Sequence, residues 1–236
     1  MWPFSKTYSW TESGIFQGFV DYHSHILPGV DDGVRTIDEA LKILSLYERL
    51  GIKAVWLTPH IMEDIPNTTL YLQKRFDELQ SVYKGEVELY LAAEYMLDKL
   101  FCERLNNDDL LPLGKKGNHL LVETSYYNSP VNIHCLLERI KAKGFYPVLA
   151  HPERYSYMTD VDYKTLKKMG IRFQLNLLSL SGSYSNEVCR KAKWGIKNKF
   201  YDLIGTDTHS LNGVQSHINN KASLLEEIYH LVEQAI

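Results

Sequence analysis

The sequence predicts an α/β fold, a distorted seven-stranded (β/α) TIM-like barrel, and three observations support it. Short apolar runs recur along the chain, as expected of strands that are buried on both faces. Segments with helical spacing of apolar residues separate these runs. Polar residues end each run, and a barrel brings the ends of its strands together at one rim. An open doubly wound sheet would also place polar residues at its strand ends, and it remains the alternative architecture.

Seven strands are predicted by the apolar runs, at 19–23, 53–58, 87–92, 120–123, 147–151, 172–176 and 202–206. Helices are predicted between and after them, at 37–50, 69–82, 130–143, 162–169, 185–198 and 221–236. The first helix has the clearest boundaries, because Thr36 and Glu39 have capping-box spacing and Gly51 suits a helix end. The stretch 97–118 carries strong turn residues and is predicted to be less regular.

Length and composition indicate one globular domain. The chain has 236 residues, of which 44% are hydrophobic and 23% charged. Residues 1–18 are predicted to be an N-terminal lead-in, and 19–236 a single barrel domain. A formal net charge of −3 gives no electrostatic reason to expect a nucleic-acid partner. We also predict no membrane span, no secretory signal and, from three cysteines without disulfide or metal spacing, a cytoplasmic location.

Six of the seven apolar runs end in residues that can ligate a metal. His23 and His25 are two residues apart at the end of one strand, so their side chains share a face and can chelate one ion. Imidazoles bind zinc, iron and manganese, and carboxylates favour hard divalent ions and can bridge two of them. The remaining run ends in Asn176. The candidate ligands, which suit two or three ions, are His23, His25, Asp32, His60, Glu94, Glu123, His151, Asp207 and His209.

Each candidate alone has a simpler interpretation. A single histidine at a strand end is more often structural, Asp31 or Asp32 alone would be a turn residue, and Glu123 alone would be a salt-bridge partner. Packing does not readily explain so many polar strand ends together. Burying unpaired carboxylates and imidazoles costs several kcal/mol per group unless an ion neutralises them. The pattern therefore indicates a metal-dependent enzyme.

Six segments, in this order and spacing, resemble the PHP (polymerase and histidinol phosphatase) superfamily: DYHSHILPGVDDG, TPH, AAEY, LVETS, AHPERY and GTDTH. Within it the chain is most similar to the bacterial manganese-dependent protein-tyrosine phosphatases of capsule and exopolysaccharide operons, the CpsB/CapC type. The resemblance extends from about residue 19 onward. It implies the PHP fold, a distorted (β/α)₇ barrel, with three divalent metal ions. Manganese is the first expectation, and the same nitrogen and oxygen ligands admit iron or zinc.

The resemblance also implies how the nine candidates divide among three ions, with Glu94 bridging the first two. The three sets are His23, His25, Glu94 and Asp207; Glu94, Glu123 and His151; and Asp32, His60 and His209. The predicted nucleophile is a metal-bridging hydroxide that attacks phosphorus in line.

Arg154 is the predicted catalytic residue outside the ligand set. Its guanidinium fork could hold the phosphate and offset transition-state charge. The alternative is a structural ion pair, for instance with Glu153 or Asp160. Tyr126 and Tyr127 could stack on a substrate ring, or they could pack in the core or at the rim.

Two segments depart from the family pattern. Members often carry basic residues after the TPH-type histidine, where this chain has IMEDIPN. Many carry an arginine shortly after the DxH motif, where this chain has SLNGVQS. The departures do not involve the candidate metal ligands. They remove basic side chains that are expected to surround the bound phosphate.

The leading hypothesis, mainly from the resemblance, is a metal-dependent protein-tyrosine phosphatase that acts on the tail of a bacterial tyrosine kinase. The alternative is a small-molecule phosphatase such as histidinol-phosphate phosphatase, and a third possibility is a non-catalytic regulator. A cysteine-dependent phosphatase is excluded, because residues 108, 141 and 195, six after the three cysteines, are not arginine. The GxxxxGK[ST] loop of many NTPases is absent as well.

Overall fold

A computed structural model of the chain describes residues 9–182, 184–220, 228, 229 and 231. It has an α/β fold with parallel sheets. Its strands are β1 (Val20–Ser24), β2 (Ala54–Leu57), β3 (His60–Ile61), β4 (Glu88–Leu91), β5 (Glu94–Met96), β6 (His119–Glu123), β7 (Tyr146–Ala150), β8 (Arg172–Asn176) and β9 (Leu203–Gly205). Its helices are α1 (Ile37–Leu50), α2 (Thr69–Val82), α3 (Lys99–Asn106), α4 (Ile133–Ala142), α5 (Asp160–Lys168), α6 (Asn186–Lys197) and α7 (Leu211–Ile218).

The strands form two parallel sheets. One has the order β1-β2-β4, and the other has the order β3-β5-β6-β7-β8-β9. The prediction of an α/β fold with parallel strands is therefore confirmed. Within the described ranges no single closed sheet forms. The strands run in the same direction, so their carboxyl ends lie on one side of the molecule.

Nine strands are described where seven were predicted, because a further short strand follows each of the predicted strands 53–58 and 87–92. After β2 the ladder stops at Pro59, which has no N–H to donate, and the chain continues as β3. After β4 the N–H of Ala93 donates to the carbonyl of Leu111 (3.1 Å), away from the sheet ladder, and the chain continues as β5. Each interruption moves the chain from the three-stranded sheet to the six-stranded one.

The first and last strands lie side by side, although no continuous ladder joins them. A parallel bridge pairs Ser24 with Thr208. The buried carboxylate of Asp21 accepts hydrogen bonds from the Thr206 backbone N–H (2.8 Å), the Thr206 hydroxyl (2.6 Å) and the Tyr47 hydroxyl (2.9 Å). These bonds of Asp21 hold β1 beside the end of β9.

The first helix begins and ends where the sequence predicts, but its capping box forms only in part. The Thr36 hydroxyl accepts the N–H of Glu39 (3.2 Å), and Gly51 ends the helix with φ 82°. The Glu39 carboxylate instead accepts the N–H of Leu211 (3.1 Å). This glutamate therefore ties α1 to the start of α7.

Two helices were not predicted from the sequence. Helix α3 lies in the stretch expected to be irregular, and its cap Asp98 accepts the N–H of Phe101 (2.8 Å). Helix α7 is capped by Ser210 and covers most of the SLNGVQS segment. Both have eight residues, which is too short for a clear apolar period.

The ends of the chain are described in part. Of the predicted lead-in, residues 1–8 lie outside the described residues, while Trp10, Ile15 and Phe16 are buried in the core. Of the predicted helix at 221–236, all but residues 228, 229 and 231 lies outside them. No helix in the described part of the chain is both long and apolar enough to span a membrane.

Candidate metal centre

All nine candidate ligands meet at the carboxyl ends of the strands. They form four overlapping groups, and in each group one ligand atom per residue lies within 4.8 Å of the others. The groups are His25, Asp32, His60 and His209; His23, His25 and Asp207; His23, Glu94 and His151; and His60, Glu94 and Glu123. The grouping by distance differs from the sets implied by the resemblance, so the assignment of ligands to individual ions stays a prediction.

Glu94 lies at the centre of the cluster and is fully buried. Its Oε2 atom lies 3.1 Å from Nε2 of His23 and 3.4 Å from Nε2 of His25. The same oxygen lies 3.2 Å from Nδ1 of His60, and Oε1 lies 3.1 Å from Nε2 of His151. One carboxylate thus faces four imidazoles, as a bridging ligand would.

Several atoms of the cluster are buried without a hydrogen-bond partner among the described residues. They are His60 Nδ1, Glu94 Oε1, Glu123 Oε1 and His151 Nδ1. Some lie close without the alignment of a hydrogen bond: Glu123 Oε1 is 3.1 Å from His60 Nδ1. An unsatisfied buried polar group costs about 1–3 kcal/mol, and a charged group costs more. A cation in contact with these atoms would remove that cost, so the residues fit a metal centre.

The electrostatics of the cluster also favour cations. Burial disfavours the imidazolium of His23, but the carboxylates of Glu94 and Asp207 outweigh burial and raise the pKa of His23 to about 9. Burial alone would raise the pKa of Glu94, yet the adjacent imidazoles, above all His23, hold that pKa well below its usual range. The pKa of Asp207 is lowered for the same reason. Two fully ionised carboxylates in a buried site require positive charge beside them.

Two ligand positions have an unusual backbone conformation. His151 has φ 33° and Asp207 has φ 54°, in the left-handed region that residues other than glycine rarely occupy. Such a conformation costs on the order of 1 kcal/mol per residue. Both residues lie within two positions of the end of a strand and belong to the cluster.

The orientation of two histidines depends on residues that the sequence analysis did not select. Asp31 Oδ2 accepts a hydrogen bond from Nδ1 of His25 (2.8 Å). The Nδ1 of His23 donates to Gln174 Oε1 (2.9 Å), because the amide nitrogen of Gln174 donates to the carbonyl of Leu175. Both rings therefore direct Nε2 at the cluster. Asp31 could have been identified from the sequence, because it is adjacent to the candidate ligand Asp32. Gln174 lies inside an apolar run, and no feature of the sequence indicated its role.

Asp207 uses its two oxygens differently. Oδ1 lies 3.4 Å from Nε2 of both His23 and His25. Oδ2 accepts hydrogen bonds from Nη1 of Arg154 (2.7 Å) and from Nδ2 of Asn176 (2.9 Å). Oδ1 thus faces the cluster, while Oδ2 is held by two side chains that are not candidate ligands. Asn176, the one strand end without a ligating residue, therefore supports a candidate ligand.

Arg154 lies at the edge of the cluster and is mostly buried. Its guanidinium carbon lies 4.5 Å from the ring centre of Tyr126 and 4.3 Å from that of Tyr184. Its ion-pair partner is a candidate ligand, so the pairing considered with Glu153 or Asp160 does not form in the described residues. Stacking between two rings fixes the plane of the guanidinium.

A cleft of about 400 Å³ opens onto the cluster. Arg154 is the one arginine in its walls, and no lysine lines it among the described residues. The basic residues missing from the two departing segments are therefore not replaced there by another lysine or arginine. His217 of α7, which was assigned no role from the sequence, lies in the wall, whereas Tyr127 is 76% exposed and lies outside the cleft.

Comparisons with known proteins agree with this geometry. The family model described as capsular polysaccharide synthesis, CpsB/CapC, matches residues 19–232. The tyrosine-protein phosphatase CpsB of Streptococcus agalactiae serotype V is 27% identical over 212 residues, 82% of this chain and 84% of that protein. The putative tyrosine-protein phosphatase CapC of Staphylococcus aureus is 24% identical over 218 residues, 89% of this chain and 82% of that protein.

Solved structures show a similar fold. The crystal structures of YwqE from Bacillus subtilis and CpsB from Streptococcus pneumoniae, described as metal-dependent tyrosine phosphatases, include a chain that matches with a TM-score of 0.77. That match has 21% identity and covers 91% of this chain and 86% of the other. The resemblance found in the six segments is thereby confirmed, and the chain belongs to the CpsB/CapC family of capsular polysaccharide synthesis proteins.

Proposed function

We propose that this protein is a metal-dependent protein-tyrosine phosphatase. The observation that carries the proposal is the convergence of all nine candidate ligands in one cluster, which opens beside Arg154 onto the cleft. The relatives named above are tyrosine-protein phosphatases, which favours this activity over histidinol-phosphate hydrolysis. The cleft is open and has tyrosine walls, as suits an aryl phosphate presented on a protein chain.

The proposed centre holds three divalent ions through His23, His25, Asp32, His60, Glu94, Glu123, His151, Asp207 and His209. Manganese is the proposed metal, with iron or zinc as substitutes that the same donor atoms accept. When bound, such ions supply Lewis-acid polarisation of the phosphoryl group and activation of water. The unpartnered buried atoms of the cluster support this ligand set.

The protein's own residues then bind and orient the substrate. Nη1 of Arg154 donates a hydrogen bond to Asp207. No other hydrogen bond of this guanidinium forms within the described ranges, which leaves its remaining N–H groups to the phosphate in the cleft. Tyr126 and Tyr184 hold the guanidinium plane, so little conformational freedom is lost on binding. Arg154 is thus the proposed catalytic residue, offsetting the negative charge that builds up as the ester bond breaks.

The biological setting is also part of the proposal. Membership of a capsular polysaccharide family supports a phosphotyrosine-bearing protein as the substrate, namely the tail of a bacterial tyrosine kinase in the cytoplasm. We further interpret residues 19–236 as a single domain and its two sheets as a distorted seven-stranded barrel. The bridge between Ser24 and Thr208 supports this interpretation.

Phosphate release from a phosphotyrosine peptide and from histidinol phosphate, measured in parallel, tests the proposal. Metal-stripped protein is compared with manganese-reloaded protein and with a His151→Ala variant. We expect manganese-dependent turnover of the peptide, strongly reduced in the variant, and a much lower kcat/KM for histidinol phosphate.

Each other outcome contradicts the proposal in a distinct way. A higher kcat/KM for histidinol phosphate would retain the metal centre and replace the substrate. Metal and peptide binding without turnover of either substrate would instead indicate a non-catalytic regulator.

A further inference from the structure

Four cavities follow one another from the metal cleft along helix α6. The cleft shares Tyr126, Arg154 and Tyr184 with a second cavity of about 300 Å³. The second shares residues with a third of about 500 Å³, and the third shares Arg190 and Trp194 with a fourth of about 440 Å³. Because neighbouring cavities share wall residues, they lie in a row along the helix, and we call this row the α6 groove.

The outer part of the α6 groove is basic. Arg190, Lys193 and Lys197 line its far end, and in the described part of the chain none of them has a carboxylate oxygen within 4 Å. They are spaced three and four residues apart, so they share one face of the helix. Glu187 and Asp160 also border the groove, nearer to the cleft. The positive charge therefore increases with distance from the metal centre.

The floor of the groove is held firmly against the helix. The Nζ of Lys191 donates to the carbonyls of Tyr155 (2.8 Å), Ser156 (3.4 Å) and Met158 (3.4 Å). Trp194 packs edge-on against Tyr163, with ring centres 5.2 Å apart. A groove with such a floor exists before any ligand arrives, which lowers the entropic cost of binding.

The length of the groove sets the size of its occupant. From residue 185 to residue 197 the helix rises roughly 18 Å, at 1.5 Å per residue. An extended peptide advances about 3.3 Å per residue, so about six residues are needed to cover this distance. A phosphotyrosine bound in the cleft would therefore bring the neighbouring segment of its own chain onto the basic end of the groove.

We infer that the α6 groove binds an acidic segment of the protein substrate, on one side of the phosphotyrosine. The inference rests on the proposed phosphatase function and adds a determinant of substrate choice to it. Apart from the proposed metal ions, the cleft offers the substrate a single arginine and no lysine among the described residues. Cations at the far end of the groove supply further attraction, and they select sequences by their charge.

Binding of labelled, non-hydrolysable phosphotyrosine analogue peptides, followed by fluorescence anisotropy, tests the inference. Peptides with about six acidic residues before or after the phosphotyrosine analogue are compared with Ser/Gly-flanked peptides. We expect one acidic peptide to bind about tenfold more tightly than its neutral counterpart, with an advantage that decreases as salt is raised. An Arg190→Glu/Lys197→Glu variant should lose this advantage.

The control is a Lys42→Glu/Lys74→Glu variant, with the same charge change on the exposed faces of α1 and α2. It should retain the preference for acidic peptides. Circular dichroism checks that both variants are folded. Because Arg190 and Lys197 are exposed, reversing their charge does not open the core.

The other outcomes separate this inference from the function on which it rests. Equal binding of acidic and neutral peptides, or a preference retained in the Arg190→Glu/Lys197→Glu variant, would overturn the inference while leaving the phosphatase function intact. Acid-selective binding without phosphate release from the corresponding substrate peptide would instead contradict the phosphatase function. Salt-sensitive binding of anionic-lipid vesicles, without any peptide preference, would assign the basic face to a membrane surface.

Discussion

Buried histidines occur at both ends of the strands, and their pKa values are shifted in opposite directions at the two ends. At the carboxyl ends the carboxylates around His23 overcome the effect of burial and raise its pKa to about 9. At the amino ends burial, together with Arg172 and Lys116, lowers the pKa of His119 to about 4. His23 has an exposed fraction of 0% and His119 of 6%, so burial does not distinguish them.

The difference is in the neighbouring charges. His119 has no hydrogen-bond partner on either ring nitrogen among the described residues, and its ring lies 5.3 Å from that of Tyr146. It behaves as a packed aromatic residue. The cluster around Glu94 instead concentrates negative charge where the solvent is excluded. A buried histidine thus indicates a metal centre when carboxylates surround it, and a packing role when cations do.

The largest expected effect comes from removing the central charge of the cluster. In a Glu94→Gln variant the side chain keeps its shape, but it no longer neutralises cations bound near His23, His60 and His151. We expect a kcat/KM for phosphotyrosine peptide that is lower by on the order of 10³-fold, together with reduced metal content. Phosphate release and elemental analysis of the purified protein measure the two quantities.

The matched control is Glu63→Gln, the same substitution at an exposed position near the rim. It should leave both quantities close to those of the wild type. Full metal content and activity in the Glu94→Gln variant would show that the central carboxylate is not a ligand.

A smaller loss is expected when Arg154 is replaced by lysine. The charge remains, but an ammonium group cannot lie flat between Tyr126 and Tyr184 or present a planar fork to the phosphate. We expect kcat/KM to decrease about a hundredfold. Steady-state kinetics of Arg154→Lys measures this, with Arg49→Lys on the exposed face of α1 as the control. Unchanged kinetics in Arg154→Lys would show that a positive charge is sufficient at this position and that the planar guanidinium is not required.

Replacing Asp31 tests the orientation of a ligand rather than a ligand itself. In Asp31→Asn the carboxylate that accepts from Nδ1 of His25 is lost, so the ring is held less firmly. We expect metal affinity to weaken about 10–100-fold. Metal titration measures the affinity, and turnover at saturating metal should recover most of the activity. The exposed Asp38→Asn is the control, and unchanged affinity in Asp31→Asn would contradict the positioning role.

The smallest effect is expected at the opposite end of the strands, and it concerns stability. The pKa of His119 is about 4 in the folded protein, below its ordinary value of 6.5. The unfolded chain therefore takes up this proton first as pH falls, and stability is lost as pH decreases from 6.5 toward 4. His119→Phe should lose about 2 kcal/mol less stability than wild type between neutral pH and about pH 5.

Urea unfolding at the two pH values measures this difference. The exposed His134→Phe serves as the control and should show the pH dependence of the wild type. Phosphatase activity at neutral pH should not change in His119→Phe, in contrast to the substitutions at the carboxyl ends. Equal pH dependence in His119→Phe and wild type would mean that the two ends do not differ as described.

Local sequence patterns were sufficient for most elements. Helix α1 occupies the predicted 37–50 and α2 the predicted 69–82, because their caps and apolar periods are local signals. Sequence patterns failed where a residue far away in the sequence determines a contact. The Glu39 carboxylate binds α7 instead of its own helix start. The short strands β3 and β5 form by pairing across the fold, and the helices α3 and α7 have too few residues for a clear apolar period.

The same division applies to the metal centre. The sequence by itself identified the candidate donor set, because a residue at the end of a buried strand is recognisable from the run that precedes it. Only the tertiary structure decided which atoms approach one another, that Asp31 and Gln174 orient two of the imidazoles, and that Asp207 divides its oxygens between the cluster and Arg154. The physical reason is distance. Residue identity is a property of the chain, whereas contact within 4.8 Å depends on the order and register of parallel strands that are far apart in sequence.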